Sequence, residues 1–105
     1  MSYQEDAVSF AVFENEAYPF LALCEEAGEV AGVFAKHIRK GGTVETLSAE
    51  QRIKLVDELG DVIWNIANCC ELLGVSVEYV QWRNISKLSK RKLDGDLAAL
   101  DREDG

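Results

Sequence analysis

Proline, histidine and any pattern of paired cysteines are nearly missing from this 105-residue chain, which has one Pro and one His. Its three cysteines, Cys24, Cys69 and Cys70, are odd in number, form no CxxC and include two neighbours. That excludes a disulfide framework and fits reduced thiols packed as small hydrophobes in a cytoplasmic protein. One His beside such cysteines also argues against a tetrahedral zinc site. No uncharged apolar run approaches the roughly 18–20 residues of a membrane span. The acidic start, Met1 to Asp6, lacks the basic segment of a signal peptide. Basic charge is scarce: 19 acidic residues outweigh 11 basic ones, a formal charge of −8. Such a balance disfavours nucleic acid and anionic membranes as partners and favours a bound cation. What remains is one globular domain, small enough that oligomerisation is an expected way to bury more surface.

The pattern that is present is helical almost throughout, and the expected fold class is all-α. Ser2-x-x-Glu5 resembles a capping box and opens a first helix over about 3–15. Pro19 suits the first turn of a second helix. Its stripe is Phe20, Cys24, Ala27, Ala31, Phe34 and Ile38, and Gly41-Gly42 stops it. Ser48-x-x-Gln51 is another capping box. It opens a third helix with Leu55, Leu59, Val62, Ile63, Ile66, Cys70 and Leu73 as core face, ended by Gly74. Ser76 caps a fourth helix to about residue 92, closed by Asp94-Gly95. The expected organisation is a domain over 1–93 and an acidic, flexible tail over 94–105.

Two helices carry an echo. Glu25-Glu26-Ala27-Gly28-Glu29-Val30 and Asp57-Glu58-Leu59-Gly60-Asp61-Val62 share the order acid, acid, aliphatic, Gly, acid, Val, 32 positions apart. Helical spacing gathers Glu25, Glu26 and Glu29 into one patch, and Glu58 with Asp61 into another. No Lys or Arg lies between Tyr3 and Ala35 to relieve the first patch, whereas Lys54 could neutralise the second. Each patch contains a mid-helix glycine, which costs about 1 kcal/mol relative to Ala. Facing carboxylates without His suit Mg²⁺ or Mn²⁺. The competing reading is a solvated acidic face, since on a helical wheel both patches lie roughly opposite the main apolar stripe.

Arg83, Lys87, Lys90, Arg91 and Lys92 concentrate five of the eleven basic residues in ten positions. Beside a metal they would hold phosphate oxygens; otherwise they complement the C-terminal end of the helix dipole. Trp64, one turn after Asp61, could stack on a nucleobase. Asn65 and Asn68 could bond a sugar or base edge, and Phe10, Phe13 and Tyr18 could complete the pocket. His37, expected at the surface near a helix end, is given no role.

These words resemble the MazG-like nucleotide pyrophosphohydrolases, whose signature is EExxE, a spacer of roughly 12–28 residues, and ExxD. Glu25-Glu26-x-x-Glu29 is followed by 28 residues and then Glu58-x-x-Asp61. Asn84-Ile85-Ser86-Lys87-Leu88-Ser89-Lys90-Arg91 resembles the closing N-x-x-K-L-x-x-R element. The resemblance covers about residues 18–92 and implies a four-helix MazG-like bundle assembled from paired subunits, as a homodimer or homotetramer. It implies Mg²⁺ on Glu26, Glu29, Glu58 and Asp61, with Glu25 orienting a water. It implies triphosphate contacts from Lys87 and Arg91, with Asn84 a further candidate. Asn65 stands where many relatives carry an aromatic residue. The implied reaction is Mg²⁺-dependent cleavage of a (d)NTP to monophosphate and pyrophosphate. The same fold also acts on ppGpp, dUTP or phosphoribosyl-ATP. The alternative of another class is a silent helical oligomerisation module with its acids on a solvated face.

Overall fold

The computed structural model describes the backbone of residues 2–104 and the side chains of residues 2–96. Its helices are α1 (Tyr3–Val8), α2 (Tyr18–Arg39), α3 (Ala49–Leu73) and α4 (Val77–Asp104). No strand occurs among the described residues, so the all-α expectation holds.

Side chains set the helix boundaries. The Ser2 hydroxyl accepts from the Glu5 N–H at 3.2 Å and starts α1. The expected extension of α1 to residue 15 does not occur. The Ser9 hydroxyl donates to the Asp6 carbonyl at 2.6 Å, and the chain turns through short bonds from Phe10 to Ala7 and Ala11 to Val8. Asn15 then accepts from the Ala17 N–H at 2.9 Å, one turn before Pro19 enters α2. Ser48 and Gln51 complete both arms of the α3 capping box. Gly74 ends α3 at φ 71°, a left-handed conformation that glycine adopts without a Cβ clash. The Ser76 hydroxyl accepts from the Tyr79 N–H at 3.0 Å and starts α4. Asp94-Gly95 does not close α4, which continues to Asp104; a glycine with open space around it costs a helix stability without breaking its bonds.

The α2–α3 hairpin is the main packing unit. Among the buried or half-buried residues, α2 offers a row of Pro19, Ala22, Glu26, Val30, Val33 and His37, and α3 one of Gln51, Leu55, Glu58, Val62, Asn65 and Cys69. Both rows step by three and four residues, the spacing of one helix face. The expected α3 stripe holds at Leu55, Val62, Ile66 and Cys70, while the rest of both stripes, Phe34 apart, is corrected. Phe20, Cys24, Ala27, Ala31 and Ile38 on α2 are exposed, as are Leu59, Ile63 and Leu73 on α3. Phe34 is half-buried and Cys70 fully buried.

The α1 helix docks on α3 and secures the elbow into α4. The Trp64 indole N–H donates to the Ala7 carbonyl at 2.9 Å. Buried Gln4 donates to the Val75 carbonyl at 3.0 Å and to Glu71 at 3.2 Å, and accepts from the Val77 N–H at 2.8 Å. Beyond that elbow α4 leaves the hairpin, and its side chains from Glu78 to Asp96 are all exposed. The radius of gyration is 18.5 Å, against about 13 Å for a compact domain of this length. The uncovered faces of α3 and α4 share Leu59, Ile63, Tyr79, Trp82 and Ile85.

Candidate functional site

Glu26 and Glu58 occupy matching central positions in the two rows of the α2–α3 seam. Glu26 and Glu58 are half-buried, whereas Glu25, Glu29 and Asp61 are exposed, so the acids lie along the edge of the seam. One carboxylate oxygen from each of Glu26, Glu58 and Asp61 lies within 4.8 Å of the others. The Oε2 atoms of Glu26 and Glu58 are buried and have no hydrogen-bond partner. Carboxylate oxygens withdrawn from water and left unpaired are costly. A shared cation would offset that cost.

The electrostatics agree. A side-chain hydrogen bond with the Glu29 carboxyl raises the Glu58 pKa above the ordinary carboxylate value. Burial adds to this, then the charges of Glu29 and Asp61, and Lys54 opposes it weakly. Lys54 therefore offsets only part of the repulsion at Glu58. The structure brings Glu26, Glu58 and Asp61 together, and exposed Glu29 acts on Glu58 from the side. Oxygen-only donors at this density fit a hard divalent cation. Glu25 stands exposed on the outer side of the same turn of α2.

A cavity of about 450 Å³ opens beside the acids. Glu26 forms one wall; Phe13, Tyr18 and Trp64 supply aromatic walls; Asn65 and Asn68 line it from α3. Trp64 lines this space, and its indole N–H is held by the Ala7 carbonyl. Asn65 is buried and donates to the Asp61 carbonyl at 2.9 Å, which ties the polar wall to an acidic residue of the cluster. Phe10, expected in the same pocket, is 72% exposed and does not line it.

The basic element lies elsewhere. Asn84 and Lys87 line a second groove at the α3–α4 elbow, together with Ile63, Ile66 and Arg83, and none of the five carboxylates borders it. Arg91 is exposed further along α4. Neither Asn84 nor Lys87 lines the cavity beside Glu26.

Two structural roles escaped the sequence. His37 is half-buried, and its Nε2 donates to the Thr43 carbonyl at 2.8 Å and lies 2.9 Å from the Thr46 hydroxyl. It closes the α2–α3 loop, and a Cβ at Gly42 would overlap its ring. Its spacing of six residues to Thr43 was the available signal. Gln4 had no signal, because its partners lie about 70 positions away.

The family model for the MazG nucleotide pyrophosphohydrolase domain matches residues 15–94. The chain is 39% identical over 80 residues to the Gene 37 protein of Mycobacterium phage L5, covering 75% of this chain and 68% of that protein. It is 46% identical over 83 residues to the protein named Uncharacterized protein YvdC of Bacillus subtilis (strain 168), covering 73% of this chain and 78% of that one. No solved structure gives a significant match. The chain belongs to the MazG nucleotide pyrophosphohydrolase family, and its four helices accord with the helical bundle of that family.

Proposed function

We propose that this MazG-family chain is a Mg²⁺-dependent pyrophosphohydrolase that cleaves a (d)NTP to the monophosphate and pyrophosphate. The observation that carries the reading is the pair of buried, unpartnered carboxylate oxygens on Glu26 and Glu58, with Asp61 within reach of both. Glu26, Glu29, Glu58 and Asp61 hold the cation, with Mn²⁺ a possible substitute. When bound, the cation supplies Lewis-acid polarisation of phosphate oxygens.

The rest of the chemistry belongs to the chain. Glu25 orients or deprotonates the water that attacks the α-phosphorus. Trp64 and Asn65 bind the nucleoside portion in the cavity beside Glu26. Lys87 and Arg91, with Asn84, offset the charge that develops on the leaving pyrophosphate. Asn84 and Lys87 line the elbow groove and not the cavity beside Glu26, so the working unit is a homodimer or homotetramer in which a second copy brings its α4 to the site. The uncovered apolar faces of α3 and α4 support that assembly. The protein works on soluble nucleotides in the cytoplasm.

Pyrophosphate release from the eight common NTPs and dNTPs, with Mg²⁺ and with EDTA, tests the reading. Metal-dependent release from a subset is expected. A folded protein that cleaves none of them, nor ppGpp, dUTP or phosphoribosyl-ATP, would point to a silent helical module.

A further inference from the structure

Gln4 belongs to α1, yet its buried side chain bonds the joint between α3 and α4, 71 and 73 positions away. Its Nε2 donates to the Val75 carbonyl at 3.0 Å, and its Oε1 accepts from the Val77 N–H at 2.8 Å. These two peptide groups lie on either side of Ser76. Peptide units are planar, so only the two backbone torsions of Ser76 turn one group relative to the other. The donor and acceptor of a carboxamide stand side by side. Holding both peptide groups at once therefore constrains both torsions. The other bonds of the joint do not cross Ser76. Val75 N–H to the Cys70 carbonyl, at 3.0 Å, stays on the α3 side. Tyr79 N–H to the Ser76 hydroxyl, at 3.0 Å, and Val80 N–H to the Ser76 carbonyl, at 3.3 Å, stay on the α4 side. Gln4 is itself anchored to α3, because it also donates to Glu71 at 3.2 Å and the Trp64 indole holds Ala7 of the same helix at 2.9 Å. The side chains of α4 from Glu78 to Asp96 are exposed, so packing within the chain adds little to this hold.

We propose that Gln4 is a positioning residue for Lys87 and Arg91, the side chains of α4 assigned to the triphosphate. The inference rests on the nucleotide reading given above and adds to it what sets the place of those bases. Leverage makes the hold matter. At 1.5 Å per residue, Lys87 lies about 16 Å and Arg91 about 22 Å along α4 from Ser76, so a swing of about 10° moves them by roughly 3 and 4 Å. Charge-assisted bonds to phosphate need about 2.7–2.9 Å, and such a swing breaks them. The same lever acts whether the bases serve the acids of their own chain or those of a second copy.

The test measures binding, so that slow variants can be compared. The probe is the α,β-imido analogue of the dNTP that the wild type cleaves best, with Mg²⁺. The matching dNMP is the ligand without outer phosphates. Wild type, Gln4→Ala, Lys87→Ala/Arg91→Ala and the triple combination are compared well below their melting temperatures, with circular dichroism and Mg²⁺ titration as controls. Gln4→Ala should weaken binding of the triphosphate analogue by about tenfold or more and leave dNMP and Mg²⁺ binding within about twofold. In the Lys87→Ala/Arg91→Ala background the same substitution should change analogue binding by less than about twofold, because the contacts it places are gone. If Gln4→Ala loses its helical signal, Gln4→Met keeps the bulk of the side chain and carries the same comparison. Four results would overturn the positioning role while leaving the hydrolase reading intact: wild-type binding by a folded Gln4 variant, an equal loss for dNMP and analogue, an equal loss in both backgrounds, or analogue binding that survives without Lys87 and Arg91. A folded wild type that binds Mg²⁺ but neither binds nor cleaves any nucleotide would overturn both.

Discussion

Glu29 and Glu58 meet across the α2–α3 hairpin, so that an acid of one echoed hexapeptide acts on an acid of the other. The contact joins the acidic patch of α2 to that of α3. It also means that the two patches are not independent of one another. Like charges held together in a partly dry seam store repulsion that only a proton or a cation removes.

That repulsion gives the metal-free chain an unusual pH response. Glu58 has a folded pKa above its unfolded one. Between those two values the folded state binds more protons, so this group's contribution to stability falls as pH rises through the window and returns as pH drops. Melting followed in EDTA from neutral pH down to about 5 should show less acid destabilisation in the wild type than in Glu58→Gln, whose amide does not titrate. The variant should also melt higher than the wild type at neutral pH without metal, and lose the stabilisation that Mg²⁺ gives the wild type. Parallel pH profiles for the two proteins would sink the argument.

Removing one cation ligand should separate folding from turnover. Asp61→Asn and Glu29→Gln keep size and polarity but remove a negative charge from the cluster. Each should lower Mg²⁺-dependent turnover by at least about a hundredfold, given the electrostatic share of such reactions, with unchanged helical signal. Wild-type rates in either purified variant would refute the assignment of the cluster.

Much of this was legible in the sequence, and for definable reasons. Caps are local chemistry, so Ser48-x-x-Gln51 and Gly74 marked the ends of α3 correctly. The acidic residues were legible from spacing alone, since i, i+3 and i+4 share a face whatever the tertiary fold. The packing face was legible only in part. Large apolar residues such as Phe20, Leu59 and Ile63 suggested the core, whereas the seam uses Ala22, Glu26, Glu58 and Asn65. A helical wheel cannot tell a face buried within the chain from one left for a partner. The early end of α1 was hidden in the same way, because Ser9 and Asn15 act through backbone bonds that compete with the helix.

Gln4 should prove costly to replace although it lies far from the acids. Its side chain satisfies both the Val75 carbonyl and the Val77 N–H at the α3–α4 elbow. Gln4→Leu fills the space but leaves those groups unpaired, a penalty of about 2 kcal/mol. Thermal melting should fall by on the order of 10 °C for a domain of this size. A loss of only one or two degrees would mean that water replaces the amide.

The separation between the acidic cavity and the elbow groove yields the sharpest test of assembly. Lys87 lines the elbow groove, which none of Glu26, Glu58 and Asp61 borders. If α4 of a second copy completes the proposed site, a protein lacking its acids and a protein lacking its bases can repair one another. Asp61→Asn and the double variant Lys87→Ala/Arg91→Ala should each be nearly inactive alone. Mixed in equal amounts after unfolding and refolding together, they should regain roughly a quarter of wild-type turnover: random pairing makes half the dimers mixed, and each mixed dimer holds one intact site of two. The double variant alone should show a raised KM for the triphosphate, since its loss is of phosphate contacts. No recovery in a mixture shown to contain mixed dimers would place the acids and bases of each working site on the same chain. It would then require α4 to fold back toward the hairpin when substrate binds.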